Sequence, residues 1–460
     1  MQREYIIEKP GNRRLLIFFT GWSTDFRFIS NITLSRGYDF ICCWDYRKIS
    51  WDTLHKQYEE AIVIAWSFGV YVAELLLPTI SKEIPVTGSF AINGSVFPVD
   101  DEKGIPVKIF QGTLNTLDER NLRKFRIRIS GGLENFKCRN SFLMTNLNIE
   151  QLIEELKVFV PSSPSSSQRW QWDFAFISEN DKIFPPSNLI KAWADTPHLI
   201  IQDSEHADDF QKIFNLVIKD KDNIGFNFER SFNTYNDQAK VQNYMARMLL
   251  DYLKKTGNSY KKILEIGCGA GNLTHLIKKE LFPDVLTLVD LAPKSPLENE
   301  EYVSGDAELL INDFSSDTYD LIVAGSTIQW FHSPFRFLKG VKRVLKSKGV
   351  CALTTYLSGN FKELTDLTGN SLLYLTDSQW KGIAKNAGFR IMREEVVKIE
   401  LEFSEVKDIL SHLKLTGVNS LTANLKTIGE LKNIIKSYPK TGDKYKLTYL
   451  SYIMLLQKNG

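Results

Sequence analysis

Ile263-Leu264-Glu265-Ile266-Gly267-Cys268-Gly269-Ala270-Gly271 constrains the fold of this chain more than any other stretch. It reads as a buried parallel strand that ends in a glycine turn, with a helix expected from Asn272 onward. Glycines there let bare backbone N–H groups and a helix N-terminus approach a ligand. The spacing is G-x-G-x-G, and Asn272 stands where a dinucleotide fold wants its last glycine, which favours S-adenosylmethionine over NAD. Glu265 at the strand end can meet a ligand ammonium. Asp290 closes a following strand, residues 285–289, where an acid can take two ribose hydroxyls, with Leu291 beside it. Dinucleotide folds share that acid. Gly305-Asp306-Ala307-Glu308, after a third strand, discriminates: a small-Asp-small turn suits an adenine amino group.

These three loops, in this order, resemble the class I S-adenosylmethionine-dependent methyltransferases over roughly residues 225–460. The resemblance implies a Rossmann-like α/β domain in which Glu265, Gly267, Gly269, Gly271, Asp290, Leu291, Asp306 and Ala307 hold the cofactor. Further strands at residues 319–324, 350–356, 390–403 and 446–457, with helices to 345 and over 378–387 and a turn at 346–349, fit a mainly parallel sheet with one antiparallel strand. His332 reads as a helix cap or surface residue.

The first half follows another pattern. Residues 14–20 and 39–44 read as buried parallel strands, residues 51–60 as a helix, and residues 61–65 as a third strand running into Trp66-Ser67-Phe68-Gly69 before a helix at 70–77. A strand, a sharp turn with a central serine and a helix make a nucleophile elbow, and here Ala65 replaces its first glycine. A buried structural serine has the same local pattern, so chain order has to separate the two. His55 precedes the serine, and His198 opens a strand (198–201) as a packing residue. His206 lies just beyond that strand, and Asp181 follows a strand at 172–177, so Ser67, Asp181, His206 is the order of an α/β-hydrolase. Asp100, after a strand at 90–92, is the alternative acid. The N–H groups of Trp22 and Phe68 are the candidate oxyanion donors, Trp22 because it ends the strand whose loop supplies that donor.

A chain of 460 residues with 43% apolar residues supports two such domains, 1–218 and 224–460, divided at the charged run 219–223. The proline- and serine-rich stretch 161–167 reads as an internal surface loop, because a division there would part Ser67 from its partners. With 57 basic and 55 acidic residues, no global charge argues for nucleic acid. Locally, residues 120–139 carry Arg120, Arg123, Lys124, Arg126, Arg128, Lys137 and Arg139 against Glu134 alone. That is either a solvated helix face or a cap that docks an acidic carrier. Five cysteines without C-x-x-C spacing give neither a disulfide framework nor a zinc site. With no apolar leader and Glu74 interrupting the most apolar run, the expectation is a cytoplasmic protein that does not meet the membrane.

Segments 231–235 with Ala239, 321–331 and 415–419 resemble the malonyl-carrier-protein O-methyltransferases of biotin synthesis (BioC). Phe19-Thr20-Gly21-Trp22, Trp66 to Val70, and Ala91-Ile92-Asn93-Gly94 with 97–100 resemble the BioG-type pimeloyl-carrier-protein methyl ester esterases. Together the resemblances imply an enzyme that makes one methyl ester and removes another on acyl carrier protein, from malonyl and methyl-pimeloyl thioesters. Tyr235, Gln329 and Trp330 are candidate acceptor-pocket residues. The rival readings are a methyltransferase and hydrolase acting on another metabolite, and an inactive hydrolase fold that only binds the carrier.

Overall fold

The structure, a computed structural model, describes residues 1–139, 145–160, 169–196, 198–207, 209–292, 301–369, 371–416 and 428–459. The loop read at 161–167 and residues 417–419 lie outside them. The chain divides into two units, Met1–Ile218 and Lys219–Gly460.

The first unit is an α/β-hydrolase arrangement. Its strands are β1 (Gln2–Ile7), β2 (Arg14–Phe19), β3 (Tyr38–Trp44), β4 (Glu60–Trp66), β5 (Val86–Ile92), β6 (Phe174–Ser178) and β7 (His198–Gln202). They form one sheet in the order β1-β3-β2-β4-β5-β6-β7, with β1 antiparallel to β3 and the other pairs parallel. The central strands β2, β4 and β5 are buried along their whole length, as parallel strands covered on both faces must be. Among the described residues the helices of this unit are α1 (Gly69–Glu83), α2 (Val107–Asn115), α3 (Glu119–Ile129), α4 (Leu133–Arg139), α5 (Ile149–Lys157), α6 (Pro186–Ala192) and α7 (Phe210–Val217). Helix α5 opens on a capping box in which Asn148 and Gln151 satisfy each other's backbone N–H.

The helix expected over residues 51–60 does not form. The indole of Trp51 and the backbone N–H of Leu54 donate to the Glu83 carboxylate at the end of α1, while Lys56 and the Tyr58 hydroxyl donate to buried Asp39 on β3. These long-range bonds hold the segment in an irregular path with bends at residues 55 and 56, so local propensity is overridden.

The second unit begins with α8 (Lys221–Gln238) and α9 (Lys240–Lys255). It continues through β8 (Lys262–Ile266), α10 (Asn272–Leu281), β9 (Val285–Asp290), β10 (Glu301–Ser304), α11 (Ala307–Leu310), β11 (Tyr319–Gly325), α12 (Pro334–Val344) and β12 (Leu345–Tyr356). Then come α13 (Lys362–Thr368), α14 (Asp377–Asn386), β13 (Phe389–Phe403), α15 (Val406–Leu415), the two-residue β14 (Lys440–Thr441) and β15 (Lys444–Lys458). The sheet order is β10-β9-β8-β11-β12-β15-β13, with β14 on β15. β15 runs antiparallel to both β12 and β13, which gives a class I methyltransferase sheet. The turn expected at 346–349 is instead a bulge: β12 already pairs with β11 at Leu345, the register shifts after it, and Lys348 sits at φ +62°. Lys219 and Lys221, part of the charged run at 219–223, are buried in this second unit.

Gly94 makes one of the close approaches that support the elbow of the first unit. A Cβ on Gly94 would lie 2.2 Å from the Ser67 carbonyl oxygen, a contact that backbone cannot yield. Gly94→Ala is therefore expected to destabilise the first unit by about 1–3 kcal/mol, the scale of overpacking, read as a lowered urea midpoint in tryptophan fluorescence.

Candidate active sites

In the first unit, β4 hands over to α1 through Ser67, a non-glycine residue at φ +57°. The chain can turn this sharply because Gly69 lets α1 start directly on the end of β2. A Cβ there would stand 2.4 Å from the Thr20 carbonyl oxygen and 2.5 Å from that of Phe19. Left-handed backbone at a serine costs about 1–3 kcal/mol and persists only where the surroundings impose it. The result stands the hydroxyl beside the histidine loop. Ser67 Oγ lies 3.0 Å from His206 Nε2, and His206 Nδ1 lies 2.8 Å from Asp181 Oδ2. Asp181 is fixed in turn, its Oδ1 accepting the backbone N–H groups of Ile183 and Phe184. All three residues are buried.

Asp100, the alternative acid, accepts the N–H groups of Glu102 and Lys103 in a turn of its own. His55 is exposed and paired with Glu8. His198 begins β7, and its side chain lies outside the described residues.

Trp22 and Phe68 line a cleft of about 370 Å³ walled by Ile105, Phe110, Phe125 and Ile183, with Arg128 and Lys182 also on its lining. The backbone N–H groups of Trp22 and Phe68 enter no hydrogen bond among the described residues. A serine with a histidine base, an aspartate behind the base and two unengaged N–H donors can perform acyl transfer.

In the second unit, Glu265 is the penultimate residue of β8, and Gly267, Gly269 and Gly271 follow the strand at φ +70°, +50° and +83°. Gly267 also packs too closely for a side chain, since a Cβ would meet the Thr327 hydroxyl at 2.1 Å, whereas the Cα of Gly269 faces open space. Asp290 ends β9 and accepts the N–H groups of Gly269 at 2.8 Å and Ala292 at 3.0 Å, which ties the glycine turn to the next loop. Asp306 caps α11 through the Glu308 N–H and pairs with Lys221 at 3.0 Å. Gly267, Gly269, Asp290, Leu291, Asp306 and Ala307 line one cleft of about 690 Å³ together with Phe228 and Trp330, while Glu265 and Gly271 are not on its lining.

Glu265 is buried, and its Oε2 has no hydrogen-bond partner among the described residues. Burial pushes its carboxyl up to about 8, with the Asp290 charge adding to the shift. Glu308, equally buried, behaves in the opposite way: burial works against its charge, but the Lys221 ammonium holds it below the ordinary carboxylate range. Of these two buried acids, Glu308 has a cation, whereas the group acting to lower Glu265 is the Thr274 hydroxyl, which carries no charge.

Residues 1–214 match the family described as pimeloyl-ACP methyl esterase BioG, and residues 238–394 match a methyltransferase domain family. A relative from Bacteroides fragilis named malonyl-[acyl-carrier protein] O-methyltransferase is 34% identical over 449 residues, covering 94% of this chain and 89% of the relative. The chain belongs to the malonyl-[acyl-carrier protein] O-methyltransferase family. A Haemophilus influenzae protein of the same name is 33% identical over 249 residues, 51% of this chain and 94% of its own length. The crystal structure of BioG from Haemophilus influenzae matches 45% of this chain and 94% of that one, at 29% identity and a TM-score of 0.40.

This member of the malonyl-[acyl-carrier protein] O-methyltransferase family also places residues that pattern reading missed or misplaced. The His206 carbonyl accepts from the Trp66 indole and the Asn93 amide, both at 2.9 Å, so these two side chains hold the histidine in place. The available signal was Asn93 itself, a polar residue ending an apolar strand, which the structure sets at φ +44°. His332 is neither cap nor surface residue: it is buried, with Nε2 accepting the Lys219 N–H. Gln329 is engaged with the Ser326 carbonyl and the Thr355 hydroxyl, and the Tyr235 side chain lies outside the described residues.

A cation brought to Glu265 favours its ionised form, so a bound ammonium lowers the carboxyl from about 8. Binding below pH 8 then releases a proton, and affinity must rise with pH, by up to about tenfold per unit, before levelling above about 8. Calorimetry with S-adenosylhomocysteine between pH 6 and 8 is expected to show this slope, and Glu265→Gln is expected to remove it.

Proposed function

We propose that the chain makes and removes methyl esters for biotin synthesis in the cytoplasm. The second unit methylates the free carboxylate of malonyl-acyl-carrier protein with S-adenosylmethionine, and the first hydrolyses the methyl ester of pimeloyl-acyl-carrier protein. The observation that carries this reading is the pairing, in one chain, of the Ser67–His206–Asp181 hydrogen-bond chain with the glycine-turn cleft lined by Asp290 and Asp306. The joint family matches support it.

The pairing has a physical logic. A malonyl thioester ends in a carboxylate that is ionised at neutral pH, and an elongation pocket built for alkyl chains can bury that charge only at a cost of roughly several kcal/mol. Methylation removes the charge, and an esterase restores it once the chain has grown.

In the esterase, His206 Nε2 takes the Ser67 proton as Oγ attacks the ester carbonyl. Asp181 keeps the proton on Nδ1 and steadies the imidazolium, and the Trp22 and Phe68 N–H groups receive the oxyanion. The proton passes to the departing methoxide, and a water deprotonated by His206 releases the acid.

In the methyltransferase, Glu265 would hold the cofactor's ammonium, Asp290 with Leu291 its ribose hydroxyls, and Asp306 with Ala307 its adenine amino group. The glycine turn lets the cofactor lie against backbone. S-adenosylmethionine, when bound, supplies an activated methyl group. Because the acceptor oxygen is already ionised, the chain needs to align and desolvate it, and no base is assigned.

The acyl carrier is acidic, and α3 is the surface suited to it. Arg120, Arg123, Lys124 and Arg128 are exposed there, and Arg128 reaches the cleft. The rest of the basic run contributes less: Arg126 is half-buried, and Lys137 is paired with Glu134.

Mass spectrometry of malonyl- and methyl-pimeloyl-acyl-carrier protein incubated with the pure protein tests both activities. Ser67→Ala is expected to abolish ester hydrolysis and leave methyl transfer intact. Asp290→Ala is expected to do the reverse, weakening cofactor binding by about 1.5–3 kcal/mol, the scale of a charged hydrogen bond. A Ser67→Ala protein that keeps its esterase rate places the nucleophile elsewhere.

Salt is expected to separate carrier-bound from free substrates. At about 0.5 M NaCl the Debye length falls to roughly 4 Å, which depresses kcat/KM for carrier esters and hardly touches a small neutral ester. Charge reversal at Arg120 and Arg123 reproduces that loss at low salt through KM. Equal salt sensitivity of the two substrates would reduce α3 to a solvated face.

A further inference from the structure

The Trp22 N–H can receive an oxyanion only if the turn leaving β2 holds it toward Ser67; inside that turn the Thr24 hydroxyl donates to the Gly21 carbonyl at 2.7 Å, and the remaining support comes from outside it. Ser23, the next residue, sits at φ +66°, a conformation that costs about 1–3 kcal/mol for a non-glycine residue. The turn leaving the neighbouring strand β3 has the same character, with Asp45 at φ +55°. Both turns are fastened to one buried side chain. The Glu155 carboxyl on α5 accepts the Tyr46 N–H at 2.9 Å and also bonds the Ser23 N–H. Two further bonds close the assembly: the Trp22 indole donates to the Leu152 carbonyl one turn earlier on α5, and the Tyr46 hydroxyl donates to the Thr20 carbonyl at 2.8 Å.

An acid is a costly choice at this position. Leu152, Glu155 and Leu156 form the buried stripe of α5, so packing alone calls for an apolar residue at 155. Glu155 is 2% exposed, and Arg47, the cation acting on it, is committed to Asp45 at 2.8 Å, with Glu154 also in reach. Burial, with Asp45 adding to it, pushes the Glu155 carboxyl up to about 8. A buried acid kept against that cost, at the junction of two strained turns, has a positional task rather than a packing one.

The geometry points to Glu155 as a positioning residue for the ester hydrolysis: by binding the N–H groups of Ser23 and Tyr46 together, it sets the Trp22 N–H in the oxyanion site. It touches no reacting atom and acts through the turn. The inference rests on the esterase reading of the first unit and adds to it a residue outside the serine–histidine–aspartate chain.

The test uses the full chain with p-nitrophenyl butyrate, measuring kcat and KM separately, alongside thermal unfolding. Glu155→Met keeps the length and apolar packing of the side chain but removes the acceptor. Its unfolding temperature is expected to match or exceed that of the wild type, its KM to change less than about twofold, and its kcat to fall roughly 10²-fold, the scale of losing one oxyanion donor. Glu155→Gln restores an acceptor and is expected to recover most of the rate. Glu155→Ala is measured as well, per folded molecule, so that the result does not depend on the Met variant folding. A role in packing alone predicts the opposite ranking, with Met fully active and stability tracking activity.

If the wild type hydrolyses the ester and the Met and Ala variants do so at the same kcat, the proposal is overturned and the esterase reading stands. A rise in KM at constant kcat also overturns it. A wild type that hydrolyses no ester overturns both.

Discussion

Two buried parallel strands of this chain, β4 and β8, turn into helices through left-handed backbone, and both candidate sites are built on those turns. At the β4–α1 turn the left-handed residue is Ser67, and at the β8–α10 turn the left-handed residues are Gly267, Gly269 and Gly271. The difference decides what each turn offers. A serine accepts strain and presents a hydroxyl above the sheet, fixed by Gly69 and Gly94, which bring α1 and the β5 loop against it. Glycines accept the same dihedrals without strain and present bare backbone, which a large polar ligand can lie against. One element of topology thus yields a nucleophile in one unit and a ligand cradle in the other.

Around both turns, the structure buries acids and uses their partners to set their state. Asp181 has the His206 ring and two backbone N–H groups. Glu308 has Lys221 and the N–H groups of His332 and Ser333. Glu265 has an oxygen without a partner, and burial raises it. Burial without a cation is tolerable in a folded protein only as a small fraction of its total stability, so such groups concentrate where a ligand or a strained backbone turns the cost to use. Glu155, tied to Ser23 and Tyr46, is the case without a ligand.

Much of the fold was legible because parallel strands must be apolar along their whole length. Residues 14–19, 61–65, 263–266 and 321–324 therefore stand out in any reading of periodicity. The misreadings share one cause. Residues 51–60 lose their helix to Glu83 and Asp39, Lys346 to Gly349 become a bulge because β11 pairs across them, and His332 is buried and accepts the Lys219 N–H. In each, partners far away in sequence outweigh local preference. Arg126 is the same case on a helix face, half-buried where its neighbours Arg123 and Lys124 are exposed.

The sequence by itself determined the two α/β units and the order of their loops. Strand periodicity, glycine spacing and the succession Ser67, Asp181, His206 are properties of the linear chain. Only the tertiary structure could decide which residues meet: that His206 faces Asp181 and not Asp100, that Trp66 and Asn93 hold the histidine, and that Glu155 joins two turns more than 20 residues apart. Hydrogen bonds are short and directional, so they depend on ångström placement that no pattern of residue types encodes, whereas burial is nearly indifferent to direction and therefore shows in the pattern itself.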